Sequence, residues 1–470
     1  MLGRFLSYEY KLLKYPYQLM VRESLQLNHA IIISEGKPLY EITKDPPLAI
    51  EPYGPLYPAL VAPFIKVLGR SLFAPRLVSL GFFLLLVFFT ACAVFSLTRS
   101  WRFVLISIGL NVFMLNWARW LLICKPDSLG NFLLFITLFI HWKWPYKKTA
   151  IASTLIAGML GFFSKAYFVS GFGAIVLNYW FIHRDKKMAL SYLLYGSAAI
   201  IISILAADYI TGGLYSLFTF KIMAGWASNS YSFAYLLSKL KELVSYFLPI
   251  LVLIPYCMLT KSFDYKRYGP FFTHLVVGLP LFAFLLGNPG AGNYYWYCVI
   301  PALIVVGCDL IKKSRPGNFK VIIPLLLALI LIMGNRGYRD LVRNKLVIPS
   351  SELAGEWTPV AELVAAAKGP VMNDDATAIL NIHEGKTLFM EGLGYFQSRD
   401  YLVRRHGYSF IDVNEQVAQQ KFSLIINPQK EIETEVLKYY KPIGSYSVSH
   451  QFGDHRHSLD LFVPKTIADL

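Results

Sequence analysis

The chain has 470 residues, 55% of them hydrophobic, with a mean hydropathy of +0.47 and a formal net charge of +16. That composition is too apolar for a soluble enzyme and fits a polytopic membrane protein. The positive charge does not require nucleic acid as a partner, because much of it falls in short loops between apolar runs, where positive-inside topology accounts for it.

In chain order, residues 1–57 contain no span, and residues 1–20 lack the apolar core of a cleavable signal peptide. Tyr8 to Ile33 mixes charged and apolar residues and reads as a helix lying at the membrane interface. Pro58 to Gly69 is apolar, short and interrupted by Pro63, the pattern of an interfacial or re-entrant helix. Spans follow at 76–98, 102–118, 127–142, 149–163, 167–183, 188–209, 243–260, 270–287, 293–311 and 320–334. Several fall short of the ~20 residues a perpendicular helix needs, so their ends are expected to run into the flanking loops. From about Ser350 the composition changes. Helical stretches (Trp357–Ala367, Val413–Gln420, Glu431–Tyr440) alternate with β-rich runs (PVMND, TLFME, FSLIIN, SYSVSH, LDLFVP), which predicts a small α/β domain. The five cysteines, Cys92, Cys124, Cys257, Cys298 and Cys308, lie in or beside apolar runs and imply no disulfide framework.

The loops alternate in charge. One set carries Arg99 and Arg102; Lys143, Lys147 and Lys148; Arg184, Lys186 and Lys187; Lys261, Lys266 and Arg267; and Lys312, Lys313, Arg315 and Lys320. By the positive-inside rule these face the cytoplasm, so the 15–58 stretch, the remaining loops and the tail face outward. An even number of spans then places the first 75 residues outside with nothing to carry them there. Either a transmembrane helix upstream of Met1 or one short segment that crosses unrecognised resolves this, and the upstream helix is the expectation.

The unusual polar residues lie in the outward loops. Glu23, in Met20-Val21-Arg22-Glu23-Ser24, reads as a base for an acceptor hydroxyl, as a ligand for a divalent cation, or as a solvated acid paired with Arg22. Tyr53 and Tyr57, in the rigid turn EPYGPLYP, suit either stacking on a sugar or anchoring at the interface. Arg119, Lys125 and Asp127 share the loop WARWLLICKPDSLGN; cations in an outer loop fit a lipid-linked phosphate or an anchoring belt. Lys165, alone between two apolar runs, either snorkels or meets an anion. Asn293 and Tyr294 belong to a Gly-rich loop, GNPGAGNYYWY, that opens a span and suits a phosphate cradle or an aromatic girdle. In the tail, Asp374-Asp375 and His455-x-His457 read either as metal-binding pairs or as solvated turns.

Together these stretches resemble the GT-C class of polytopic glycosyltransferases that use polyprenyl-phosphate sugars. The bacterial dolichol-phosphate-mannose and aminoarabinose transferase-like members are the nearest in pattern. The matching elements occur in the family's order: YPYQLMVRES, SEGKPLYE, EPYGPLYP, GRSLFAPRLVSL, ICKPDSLGNFLL, GFFSKAYFV, GAGNYYWY and a tail beginning PVMNDDATAILNIHEGKTLFME. The resemblance implies a catalytic acid in the first outward loop, matched here by Glu23. Many relatives carry a further Asp a few residues earlier, where this chain has Gln18 to Val21. It also implies a donor phosphate met by basic residues, for which Arg119, Lys125 and Lys165 are the candidates, with a divalent cation (Mg or Mn) in some members.

The expected architecture is therefore an α-helical polytopic bundle of about ten transmembrane helices with a small C-terminal α/β domain. Its expected parts are a first outward loop over 1–75, the bundle over 76–334 and the tail over 350–470. The expected activity is inverting transfer of a sugar from a polyprenyl-phosphate donor to a glycan, lipid or protein hydroxyl, outside the cell (inner) membrane. A transporter or flippase of lipid-linked sugars, or a non-catalytic relative, is the alternative. A transporter should carry ionisable or broken sites near the bilayer midplane, and the spans here are nearly free of acids.

Overall fold

The computed structural model describes residues 2–20, 22–42, 51–113, 120–224, 231–259, 263–288, 292–313, 349–374, 376–390, 402–408, 410, 412–428, 430–450 and 455–465. Helix α1 (Leu2–Lys14) places Phe5, Tyr8 and Leu12, spaced by three and four, on one buried face. The Phe5 ring lies 6.0 Å from Phe83 of α4 (Phe73–Thr98). The expected interfacial helix over 8–33 is thus two helices: Pro16 ends the first, α2 (Glu23–Ser34) is the second, and α1 packs into the bundle. Helix α3 (Leu56–Leu68) covers the segment expected to be interfacial or re-entrant and keeps Pro63 within it.

The bundle continues through α5 (Trp101–Phe113), α6 (Asp127–Lys143) and α7 (Lys148–Ser164). A 3-10 turn (Ala166–Val169) leads into α8 (Ser170–Leu177), which ends in a π turn (Asn178–Ile182). Then come α9 (Lys186–Thr211), α10 (Phe233–Leu259), α11 (Tyr265–Leu285), a 3-10 turn (Asn293–Cys298) and α12 (Ile300–Lys313). These helices coincide with the expected spans from 76–98 through 293–311; the expected span at 320–334 lies outside the described residues. Among the described residues α4, α9 and α11 are long and apolar enough to cross a membrane. Helix α12 is buried on every face from Ile300 to Leu310, which makes it the core around which α4, α5 and α11 pack.

The two sets of loops separate to opposite ends of the bundle. At one end Arg267, at the start of α11, pairs with Asp309 of α12 (2.6 and 2.8 Å) and donates to Leu97 O of α4 (2.6 Å). Trp142 Nε1 of α6 donates to Arg267 O (2.9 Å). At the other end lie the starts of α4 and α6 and the end of α7.

Beyond residue 349 come α13 (Thr358–Ala366), β1 (Val371–Asn373), α14 (Ala378–His383), β2 (Phe389–Met390), α15 (Val413–Ala418), β3 (Leu424–Ile426), α16 (Lys430–Tyr439), β4 (Tyr440–His450) and β5 (His455–Pro464). The sheet order is β2-β1-β3-β5-β4, parallel from β2 to β3 and antiparallel beyond. Asp374 is buried and does not project into solvent. Its carboxylate accepts from Ala376 N, Thr377 N and Thr377 Oγ1 (2.7–3.0 Å) and from Asn427 Nδ2 (2.8 Å), with His457 Nε2 at 2.9 Å. The strand ends are locked together there; Asp375 lies outside the described residues. The sheet unit shares one apolar core with the bundle. Trp357 stacks on Tyr17 (5.3 Å), and Val360, Ile379 and Leu461 join Leu27, Tyr57 and Leu129. Tertiary packing therefore merges what the change in composition suggested was a separate tail with the start of the chain.

Candidate active site

The site forms where four chain segments meet at the end of the bundle away from the basic loops. The Lys125-Pro126-Asp127 link opens α6, and Lys165 sits at the break between α7 and the following 3-10 turn. Tyr294 and Tyr295 come from the 3-10 turn that Asn293 begins. Tyr53 lies on a strap that crosses the end of α7.

Asp127 and Lys165 form a buried ion pair, each 1% exposed, with Lys165 Nζ 2.7 and 2.9 Å from the two carboxylate oxygens. Tyr167 OH donates to Asp127 Oδ1 (3.0 Å). Lys165 does not snorkel. Its ammonium sits over the ring of Tyr53 at 4.3 Å, with Tyr167, Tyr294 and Tyr295 at 5.7–5.8 Å, an aromatic cage around a cation. Burial opposes its charge, but the Asp127 carboxylate outweighs that and holds the Lys165 pKa above the usual lysine range.

Lys125 is equally buried but differently served. Its Nζ meets Tyr294 OH at 3.3 Å and lies over the Tyr294 and Trp120 rings at 4.4 and 5.9 Å. Among the described residues no carboxylate lies in ion-pair range of it. Burial pushes its pKa down to about 7; Asp127 resists, while Lys165 and Arg22 reinforce the shift. A buried cation that has two positive neighbours and no carboxylate of its own is the electrostatic outline of an anion site.

The strap depends on one glycine. Gly54 N donates to Ser164 O (3.3 Å), and a Cβ at position 54 would fall 1.7 Å from Phe163 O. Gly54→Ala is expected to lift Tyr53 off Lys165 and to cost about 2–3 kcal/mol, read as a lower unfolding temperature.

Glu23 is not in this cage. Its Oε1 accepts from Arg76 Nε (2.9 Å) and Cys124 N (3.0 Å), and its Oε2 from Arg76 Nη2 (3.0 Å) and Leu19 N (2.7 Å). All four lone-pair sites of the carboxylate are used, and both Glu23 and Arg76 are fully buried. Arg76 also donates to Leu12 O, Tyr15 O and Tyr17 O (2.6–2.9 Å). The pair staples the end of α1 to α2, α4 and the backbone beside Lys125. The partner of Glu23 among the described residues is Arg76 instead of Arg22.

Tyr57 also lies apart from the cage. Its OH donates to Pro75 O (2.9 Å) and shares a hydrogen bond with Ser79 Oγ (2.8 Å) in the core, so it does not present a ring to a sugar. Arg119 lies outside the described residues. The structure therefore gathers Tyr53, Lys125, Asp127, Lys165 and Tyr294 into one site and leaves Glu23 and Tyr57 beside it. It adds Arg22, Trp120, Tyr167 and Tyr295, each adjacent or nearly adjacent in sequence to a residue already singled out. It also adds a fully buried pair, His29 Nδ1 with Glu51 Oε2 at 2.5 Å. Glu51 receives Gln26 Nε2 (2.8 Å) and Tyr53 N (2.7 Å), so it anchors the strap.

No protein-family model and no curated protein matches the sequence. Two solved structures share its fold. ArnT from Cupriavidus metallidurans bound to undecaprenyl phosphate aligns with a TM-score of 0.61 at 11% identity, over 98% of this chain and 97% of that one. The apo structure of the same protein gives 0.64 at 10% identity, over 98% and 96%. Over nearly its whole length the chain has the fold of ArnT, and its sequence motifs resemble the GT-C class.

Proposed function

We propose that the chain is a membrane glycosyltransferase that moves a sugar from a polyprenyl-phosphate donor to an acceptor hydroxyl. The single observation that carries this is Lys125: a buried ammonium with no carboxylate in ion-pair range among the described residues, walled by aromatic rings, at the end of an apolar bundle. A donor of this class supplies the three matching parts, a phosphate for the cation, a sugar for the rings and a polyprenyl chain for the apolar surface. The ligand bound to one structural neighbour, undecaprenyl phosphate, belongs to the same class of lipid.

In this reading Lys125, with Arg22 close by, meets the donor phosphate, and Tyr53, Tyr294 and Tyr295 flank the sugar. The acceptor oxygen attacks the anomeric carbon, the bond from that carbon to the phosphate oxygen breaks, and the polyprenyl phosphate leaves with the electron pair. One displacement inverts the anomeric centre. The acceptor proton passes to the carboxylate with a lone pair still open, Asp127 at Oδ2. Among the described residues the site offers lysines, tyrosines and one lysine-paired aspartate, with no three His, Cys, Asp or Glu side chains converging, so no step of this reading runs through a divalent cation. The site faces the extracytoplasmic side of the cell membrane, because the basic loops lie at the other end. The acceptor is a glycan, lipid or protein outside the cytoplasm.

Membranes containing the full chain, incubated with a panel of polyprenyl-phosphate sugars, test this by mass spectrometry. A product heavier than the acceptor by one sugar, with free polyprenyl phosphate released, is expected. Donor that crosses the bilayer unchanged would make the chain a carrier and overturn the reading.

Donor binding should also fall as pH rises past about 7, where free Lys125 loses its proton. A phosphodiester donor keeps one fixed charge over this range, so the change reports the lysine. Stability should move the other way. The folded-state pKa of Lys125 lies below its unfolded value of 10.5, so the unfolded chain binds more protons between about 7 and 10.5, and stability rises with pH across that window. Titrating donor affinity and unfolding temperature between pH 6 and pH 9 (roughly one order of magnitude in proton activity on one side of the midpoint and two on the other) checks both signs.

A further inference from the structure

The end of the bundle opposite the candidate active site holds a polar cavity of about 330 Å³, in the size range of small-molecule sites. Its walls come from the ends of α4, α6 and α8 and the start of α11, and include Lys143, Lys266, Arg267, His183, His141 and Asn178. Among the described residues the carboxylate paired with a cation of the cavity wall is Asp309, taken up by Arg267, while Asp185 and Asp264 cap α9 and α11 by accepting from Met188 N (2.9 Å) and Arg267 N (3.1 Å). Arg99 adds like charge beside Lys143.

The cavity is built into the fold. The backbone of α11 breaks at Gly269 (φ 32°, ψ −110°), a conformation that favours glycine, and a Cβ there would meet Asn178 Oδ1 at 3.0 Å. Asn178 Nδ2 lies 2.8 Å from His141 Nε2, while Asn178 Oδ1 is fully buried with no hydrogen-bond partner among the described residues. An orphaned buried acceptor in a basic cavity suits a ligand that brings both negative charge and a hydroxyl or amine donor. Trp101, Trp144, Tyr146 and Phe181 at the same end are at least half exposed, as aromatics at headgroup level are.

We infer that this cavity binds a phosphate ester, the headgroup of an anionic phospholipid in the leaflet facing the basic loops. Lys143 and Lys266 meet the phosphate, and Asn178 Oδ1 accepts from a headgroup hydroxyl. Phosphatidylglycerol carries both features, and zwitterionic phosphatidylcholine has neither the net charge nor the donor.

The test is thermal unfolding of the full chain in detergent, titrated separately with phosphatidylglycerol, phosphatidylcholine and inorganic phosphate. A saturable rise in unfolding temperature with phosphatidylglycerol and none with phosphatidylcholine is expected. Lys143→Gln and Lys266→Gln should each weaken the midpoint by roughly fivefold. Lys147→Gln/Lys148→Gln, exposed lysines at the same end that do not line the cavity, should leave it unchanged. An equal shift with inorganic phosphate, lost in the same two variants, would keep the phosphate site and assign it to the free anion. Absence of a shift with either phosphate source, or an equal loss in the control pair, would overturn the inference.

Discussion

Glu23→Gln is expected to destabilise the protein by about 3–5 kcal/mol, the cost of leaving a buried charge unpaired. The charge left behind is the Arg76 guanidinium, which is fully buried and held by three backbone carbonyls as well as by Glu23. Scanning unfolding of the purified chain should show the loss whether or not donor is present. Arg76→Met should be similarly damaging, since it strands the carboxylate. The double variant should recover part of the loss, because neither buried charge is then left without its partner. This cycle separates the two roles that the sequence leaves open for Glu23. A proton acceptor would show abolished transfer with unfolding temperature unchanged, and the double variant would be no better than the single. That result would return Glu23 to the chemistry and remove the staple.

Lys125→Met is expected to have the opposite signature. The ammonium is buried with no carboxylate in ion-pair range among the described residues, so methionine of similar length should leave the unfolding temperature equal to or above that of the wild type. Donor binding should weaken by about two orders of magnitude, within the 2–5 kcal/mol lost when one partner of a desolvated charge pair is truncated. The measurement is the donor midpoint of a transfer assay beside the unfolding temperature of the same sample. Lys165→Met should instead destabilise, because it strands the Asp127 carboxylate at the start of α6. If the two lysines behaved alike, Lys125 would be a structural cation and the proposed phosphate contact would fail.

The division between these lysines shows where sequence reading stops. Lys125 and Lys165 both stand out as cations in otherwise apolar outer loops, and depletion of charge near a membrane makes such residues visible one at a time. Asp127 lies two residues from Lys125 in the chain, yet its carboxylate pairs with Lys165, 38 residues away. Local spacing cannot choose between those partners. Glu23 and Arg76 are 53 residues apart, and Arg22 next to Glu23 is the partner that proximity in sequence suggests.

The sequence by itself determined where the apolar helices lie, because a backbone in an apolar solvent must satisfy its own hydrogen bonds and long apolar runs do so only as helices; it did not determine their ends, since the span expected at 243–260 begins at Phe233 and the helix expected over 8–33 is two. It also determined the sorting of the loops, since charge bias is carried by composition, and it marked the β-rich runs that become β1 to β5. Tertiary structure alone decided which ionisable groups pair and which are left over. Those pairings depend on desolvation and on distances of about 3 Å between segments remote in sequence, quantities that exist only once the helices have packed.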